Sequence, residues 1–283
     1  ASILVTAANI ALDYLLIFGH AGFPALGIQG AAVASTIAVA IGTGYYIVVV
    51  LTPSYRSSYL ASRSLASVRR WIAPIVRLSL PIAGQRAVEQ GSWVAFFSIV
   101  ARIGTVELAA TNVIRSVHHL TIMLAVGLGI AGSALVGQNL GAGKPDQAER
   151  LTWEAVKLAT YSMALIGLLF ALFPRAIFLI YTSDPDVIAA GRWPLIFLGL
   201  VQAFPGIALV LSQGLQGAGN TRFVMLAELL VCFGLYLPVV YLLGLRTPLG
   251  LLGAWMGELV YWGSLALIMV LKFRQGTWRR IVI

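Results

Sequence analysis

Eight stretches of about 20 nearly continuous apolar residues leave this chain one kind of fold. They cover residues 2–18, 28–51, 78–101, 110–137, 152–173, 193–215, 223–243 and 250–271, each roughly the length a helix needs to cross hydrocarbon. Membrane strands would be far shorter and would alternate polar with apolar, so a barrel is excluded. The expected class is all-α, a polytopic membrane protein with eight transmembrane helices. A mean hydropathy of +0.91 and only 10% charged residues agree with this, being far outside the soluble globular range.

The net charge of +9 sits mainly in loops and not in one continuous patch, so nucleic acid is not an expected partner. One set of connectors, 52–77, 138–151, 216–222 and the tail from Lys272, carries most of the Lys and Arg. The opposite set carries only Arg102, Arg175, Arg192 and Arg246. The positive-inside rule puts the first set, and both chain ends, in the cytoplasm of a cell whose plasma (inner) membrane the protein spans. Residues 52–77, rich in Ser and Arg, are expected to lie along the membrane surface as a partly helical linker. That stretch separates 1–51 from a larger domain, 78–283. The chain is apolar by Ile3 with no basic region before it, which is unlike a signal peptide, and further spans are expected to precede it.

A faint internal repeat supports two related bundles. Gly19, Gly27, Gly30 and Ala31 of the first span pair answer to Gly244, Gly250, Gly253 and Ala254 of the last.

Acidic groups inside apolar runs are the functional signal, because a charge at mid-bilayer costs roughly 2.5 to 3.5 kcal/mol on insertion scales. Asp13, Glu89, Glu228 and Glu258 are such groups. Asn9 and Asp13, spaced i, i+4, share a helix face and can hold one proton or cation between them. The competing reading puts Asp13 near the outer end, reaching water or His20. Gln85, Arg86, Glu89 and Gln90 form a second polar cluster after Pro81. There Arg86 either neutralises Glu89 or leaves it as a coupling group. For Glu228 and Glu258 a structural role weighs the same as a functional one.

Other motifs carry less. His118 and His119 point to different helix faces, so no metal site is expected. The lone Cys232 permits no intramolecular disulfide. Gly127, Gly129 and Gly132 imitate a dinucleotide fingerprint but follow no strand, so helix packing is the better account. Gly141 to Lys144 imitates a phosphate loop but has Gln138 and Pro145 at its key positions. The single close acidic pair, Asp184 and Asp186, is too little for a Mg²⁺-dependent transferase, so no enzyme is expected.

Three stretches together carry a family resemblance: Ser133 to Arg150 (SALVGQNLGAGKPDQAER), Arg102 to Ala110, and Gly214 to Arg222 (GLQGAGNTR). The set resembles the multidrug and toxic compound extrusion (MATE) family along the whole chain, as its fifth to twelfth helices. The resemblance implies a two-lobed twelve-helix transporter, with the complete C-terminal six-helix lobe from about residue 78. It also implies antiport of organic cations or amphiphilic drugs against H⁺ or Na⁺ by alternating access. No cofactor beyond the coupling ion is implied, and a monomer among membrane lipids is expected. Asn9 to Asp13 looks like the fifth-helix cation motif of DinF-like members, and Pro81 with Glu89 like the seventh-helix pattern of NorM-like members. On this reading Asp13, Asn9 and Glu89 couple the ion, while Gln85, Arg86, Gln90 and Asn112 line the cavity. Pro205 stands where NorM-like members have an acidic residue, and Leu124 replaces a common Pro, removing the ground for a kink there. The alternatives are a lipid-linked oligosaccharide flippase of the same superfamily, kept open by Arg86 and Arg115, and a nonfunctional truncated remnant.

Overall fold

The computed structural model describes residues 2–55 and 65–280, which are helical throughout apart from short turns. The helices are α1 (Ser2–Phe18), α2 (Ile28–Leu51), the single turn α3 (Pro53–Tyr55), α4 (Leu65–Val100), α5 (Thr105–Gly141), α6 (Pro145–Leu172), α7 (Pro174–Leu179), α8 (Pro185–Val201), α9 (Ala203–Gly217), α10 (Thr221–Val231), α11 (Leu237–Leu245) and α12 (Gly250–Arg274). No strand occurs among the described residues, so this is an all-α polytopic membrane protein.

By length and composition, α2, α5, α6, α10 joined to α11, and α12 can each cross a membrane. The pair α8 and α9, bent by 51°, has the length and composition for a sixth crossing when taken as one span. Two expected spans fall short of that test. Helix α1 has only 17 residues, and α4 is diluted by its own polar insert of Gln85, Arg86, Glu89 and Gln90. Helix α4 also begins at Leu65, so the second half of the expected linker is the first turns of this helix. Linker residues 56–64 lie outside the described residues. The chain divides into two compact units, 1–73 and 74–283, within the expected linker stretch.

In the first unit α1 and α2 form a hairpin. Its seam is a stripe of buried small residues on α2, Gly30, Ala34, Ala38 and Gly42, spaced so that backbones approach closely. A Cβ at Gly30 would lie 2.7 Å from the Leu16 carbonyl carbon, so only glycine fits. The α11–α12 hairpin of the second unit repeats the device: a Cβ at Gly253 would lie 2.7 Å from the Leu243 carbonyl carbon. The turns match as well, with φ of 56° at Gly27 and 53° at Gly250, left-handed values that favour glycine. The Gly-x-x-Gly-Ala repeat thus has one steric meaning in both hairpins.

The second unit has two apolar clusters. One gathers Phe96, Ile114, Phe178, Leu195, Tyr236 and Trp255; the other gathers Val156, Leu211, Leu215, Met269, Phe273 and Trp278. Along α5, α10 and α12 the polar residues fall between the two clusters, at a waist. Prolines set the breaks. Pro205 has no N–H for the carbonyl four residues back, and the helix bends at Gln202. Gln202 is fully buried there and donates to Thr121 Oγ1 of α5 at 2.6 Å. Pro238 likewise follows a five-residue π turn, Cys232–Tyr236, that absorbs the missing bond between α10 and α11. Helix α5, with Leu124 in place of Pro, runs unbroken for 37 residues.

At one end of this unit the tail returns to the bundle. Trp278 is fully buried, stacks on Phe273 at 4.6 Å and donates to the Phe273 carbonyl at 2.8 Å. Arg279 bonds Asp146 at 3.0 Å and also pairs with Glu149, both at the start of α6. Two of the connectors sorted together by their charge, the 138–151 turn and the tail, therefore meet.

Candidate functional site

Glu228 on α10 is 4% exposed at the waist of the second unit. A buried carboxylate is tolerable only when donors reach it, and two do so from different helices. Gln85 on α4 donates its Nε2 to Oε2, and Tyr261 on α12 donates its hydroxyl to Oε1 at 3.1 Å. Gln85 is itself held, because Gln216 on α9 donates to its Oε1 at 2.6 Å. Four helices thus converge on one carboxyl through neutral groups. Glu258, one turn before Trp262 on α12, is bonded by Tyr236 at 3.1 Å and Trp262 Nε1 at 2.8 Å. The Tyr261 and Trp262 rings lie edge to face at 4.8 Å and join the two carboxyl sites.

Glu228 lines a cavity of about 490 Å³. Gln85, Arg86, Glu89 and Gln90 line it from α4, with Trp93, Arg115, His118, Met123, Ser212 and Trp262 among the other walls. The polar cluster proposed from sequence is therefore brought to one cavity. Glu89 meets Arg86 at 2.8 Å, so the neutralised alternative is the one this structure takes. Glu228 has no basic partner among the described residues, which makes it the freer anion of the two. Ser212 Oγ, also on the cavity wall, is buried without a hydrogen-bond partner, whereas the His118 ring is faced by Gln202.

Asn112 does not line this cavity: it is exposed on α5 and donates to the Leu108 carbonyl at 3.1 Å. In the first unit Asn9 turns to Ser35 Oγ of α2, at 3.3 Å, and not to Asp13. Asp13 Oδ1 is buried without a hydrogen-bond partner. His20 stacks on Tyr14 at 4.2 Å and makes no bond to Asp13. Among the described residues no three His, Cys, Asp or Glu side chains cluster as metal ligands. Asp184 caps α8, accepting from the Asp186 amide at 2.9 Å, which gives that acidic pair a structural task. Of the glycine trio, Gly129 packs, a Cβ there lying 2.9 Å from Gln213 Cγ, whereas Gly127 faces open space.

Sequence reasoning left Glu228 evenly weighed and missed Gln216. Gln216 had a signal, an amide beside Ser212 and Gln213 near the end of a largely apolar helix, but its partner is 131 residues away.

Residues 81–242, more than half of the chain, match the MatE family model. Over 277 residues the chain is 30% identical to the probable multidrug resistance protein NorM of Thermotoga maritima, covering 96% of this chain and 58% of that protein. It is 28% identical over 278 residues to the multidrug resistance protein PmpM of Pseudomonas aeruginosa, with the same coverage of 96% and 58%. The chain thus spans less than two thirds of the length of these relatives. The crystal structure of the eukaryotic MATE transporter AtDTX14 superposes with a TM-score of 0.85 at 22% identity, over 99% of this chain and 62% of that one, so the fold is shared. The chain belongs to the MatE family, the multidrug and toxic compound extrusion transporters.

Proposed function

We propose that the protein is a secondary active exporter of organic cations or amphiphilic, drug-like molecules in exchange for H⁺ or Na⁺. The observation that carries this is Glu228, a carboxyl held only by neutral donors on the wall of a cavity large enough for a small molecule. A cationic substrate and a coupling ion would compete for that one group. Competition is the requirement for exchange, since each ligand shifts the conformational equilibrium only by its differential affinity for the two states. The names of the relatives as multidrug resistance proteins support the substrate class. Asp13, with its unpartnered Oδ1, is a second coupling group in the first unit, with Asn9 one turn away on the same helix but bonded to Ser35, and Glu89, paired with Arg86, is a third. The protein works as a monomer in the inner membrane, and its basic connectors and C-terminal tail face the cytoplasm.

The test is efflux of a fluorescent organic cation from liposomes containing the full-length protein, under an imposed pH or sodium gradient. Gradient-driven efflux is expected in wild type. It should fall by at least about tenfold in Glu228→Gln, in which the ionisable group but not the shape is lost. Efflux that persists unchanged in both Glu228→Gln and Asp13→Asn would remove these carboxyls from the coupling mechanism.

A further inference from the structure

Glu258 does not line the cavity, is 3% exposed and forms no ion pair among the described residues. Packed apolar residues stabilise a helix interface better than a buried carboxyl does, so such a group points to a positional task. Its two oxygens are gripped from two sides: Tyr236 donates its hydroxyl to Oε1 at 3.1 Å, and Trp262 donates Nε1 to Oε2 at 2.8 Å. Tyr236 is the last residue of the π turn, which the Leu237 amide closes on the Cys232 carbonyl. Its ring is trapped, stacked on Phe96 of α4 and facing Gly257 of α12, where an added Cβ would lie 3.2 Å from it.

Glu228 stands one turn before the same π turn, and its partner Tyr261 belongs to α12, as Glu258 does. Two carboxyl–tyrosine bonds of opposite sense therefore tie this segment to α12, with the π turn lying between Glu228 and Tyr236. The two tyrosine rings pack on each other, 5.3 Å between centres. A π turn holds about one residue more than an α turn, and passing that residue along the helix would turn α10 against α11 by about 100°. Such a turn takes Glu228 off the cavity wall and away from Tyr261. The grip of Glu258 on Tyr236 opposes it, because it fastens the end of the π turn to α12.

We propose that Glu258 is a positioning residue for the exchange: by holding Tyr236 it keeps the π turn in the register that presents Glu228 to the cavity. It acts through this grip and not as a site of ion binding. This rests on the reading of Glu228 as the coupling group. In Glu258→Gln, Oε1 accepts from Trp262 and Nε2 donates to the Tyr236 oxygen, so both contacts survive the loss of the ionisable group. Glu258→Leu removes both contacts, and Tyr236→Phe removes only the bond to the π turn.

The register is read by treating the purified full-length protein with dicyclohexylcarbodiimide, which modifies protonated carboxyls in apolar surroundings, and weighing the peptide that contains Glu228. Asp13, in the first unit, is the internal control. Glu258→Gln is expected to keep Glu228 labelling and gradient-driven efflux within about twofold of wild type, since it keeps both hydrogen bonds. Glu258→Leu and Tyr236→Phe should each lower Glu228 labelling by about fivefold, the scale of one lost hydrogen bond, and efflux with it, while Asp13 labels as before. Tyr236→Phe, one hydroxyl short of wild type, keeps the test decisive if Glu258→Leu does not fold. A loss in Glu258→Gln as large as in Glu258→Leu would show that the ionisable group and not the grip matters, and would overturn the proposal. Unchanged labelling in both Glu258→Leu and Tyr236→Phe would overturn it too, as would a wild type in which Glu228 is never labelled. If Glu228→Gln exports at the wild-type rate while Tyr236→Phe still lowers Glu228 labelling, the coupling reading fails and the inferred register stands.

Discussion

Tyr261 and Gln85 each give Glu228 one hydrogen bond, but they respond differently when a proton arrives. A protonated carboxyl must donate, and the Tyr261 hydroxyl oxygen can accept, whereas the Gln85 Nε2 can only donate. Gln85 cannot simply turn over to offer its Oε1, because Gln216 already occupies that atom. A proton on Oε1 is therefore donated in a hydrogen bond to the Tyr261 oxygen, while Oε2 remains a carbonyl acceptor for Gln85. Tyr261→Phe removes the acceptor. It is expected to slow proton-driven efflux by about tenfold, the scale of one hydrogen bond to a charged group, with a smaller effect on energy-independent substrate counterflow. Equal slowing of both reactions would show that Tyr261 shapes the cavity and does not manage the proton.

Among elements, the two glycine hairpins invite comparison. Gly30 and Gly253 each press against a carbonyl of the preceding helix, so an added methyl must push helices apart. Gly253→Ala and Gly30→Ala are each expected to cost about 1 to 3 kcal/mol, read as a lowered melting temperature in detergent. Gly127→Ala is the control: nothing lies within 4 Å of that position, and alanine is the better helix former, so no loss is expected. A melting point that falls as far for Gly127→Ala as for Gly253→Ala would reject this steric account. The hairpins were legible in the sequence because a left-handed turn glycine and a packing glycine recur at a fixed spacing. Gly127 was misread because spacing reports which residues share a face and not what lies opposite. The π turn before Pro238 went unread for a related reason, since one inserted residue hardly disturbs an apolar run.

Across the whole molecule, legibility follows the range of the interaction. Bilayer thickness acts on each helix separately, so the apolar runs could be read from the chain, although only up to six of the eight pass as membrane-length helices, and the α8–α9 bend at Pro205 went unread. Glu228 and Gln85 are 143 residues apart, and only the packing of four helices makes them a pair. Arg86 and Glu89, three residues apart, were the one cavity contact the sequence could anticipate. The tail is a further long-range feature, for Arg279 reaches Asp146 across 133 residues of sequence. Trp278→Ala should undock the tail at a cost of about 3 to 5 kcal/mol and expose the Lys272 to Arg280 region to trypsin. A digestion pattern identical to wild type would show that the tail holds without its tryptophan.

Cys232 has a practical value unrelated to transport. It is the single thiol of the chain, 1% exposed at the first residue of the π turn, so maleimides in water do not find it. Cysteines introduced in pairs on exposed connectors can therefore be spin-labelled without first stripping the native sequence. Interspin distances recorded under each gradient would then report helix movement with Cys232 still in place.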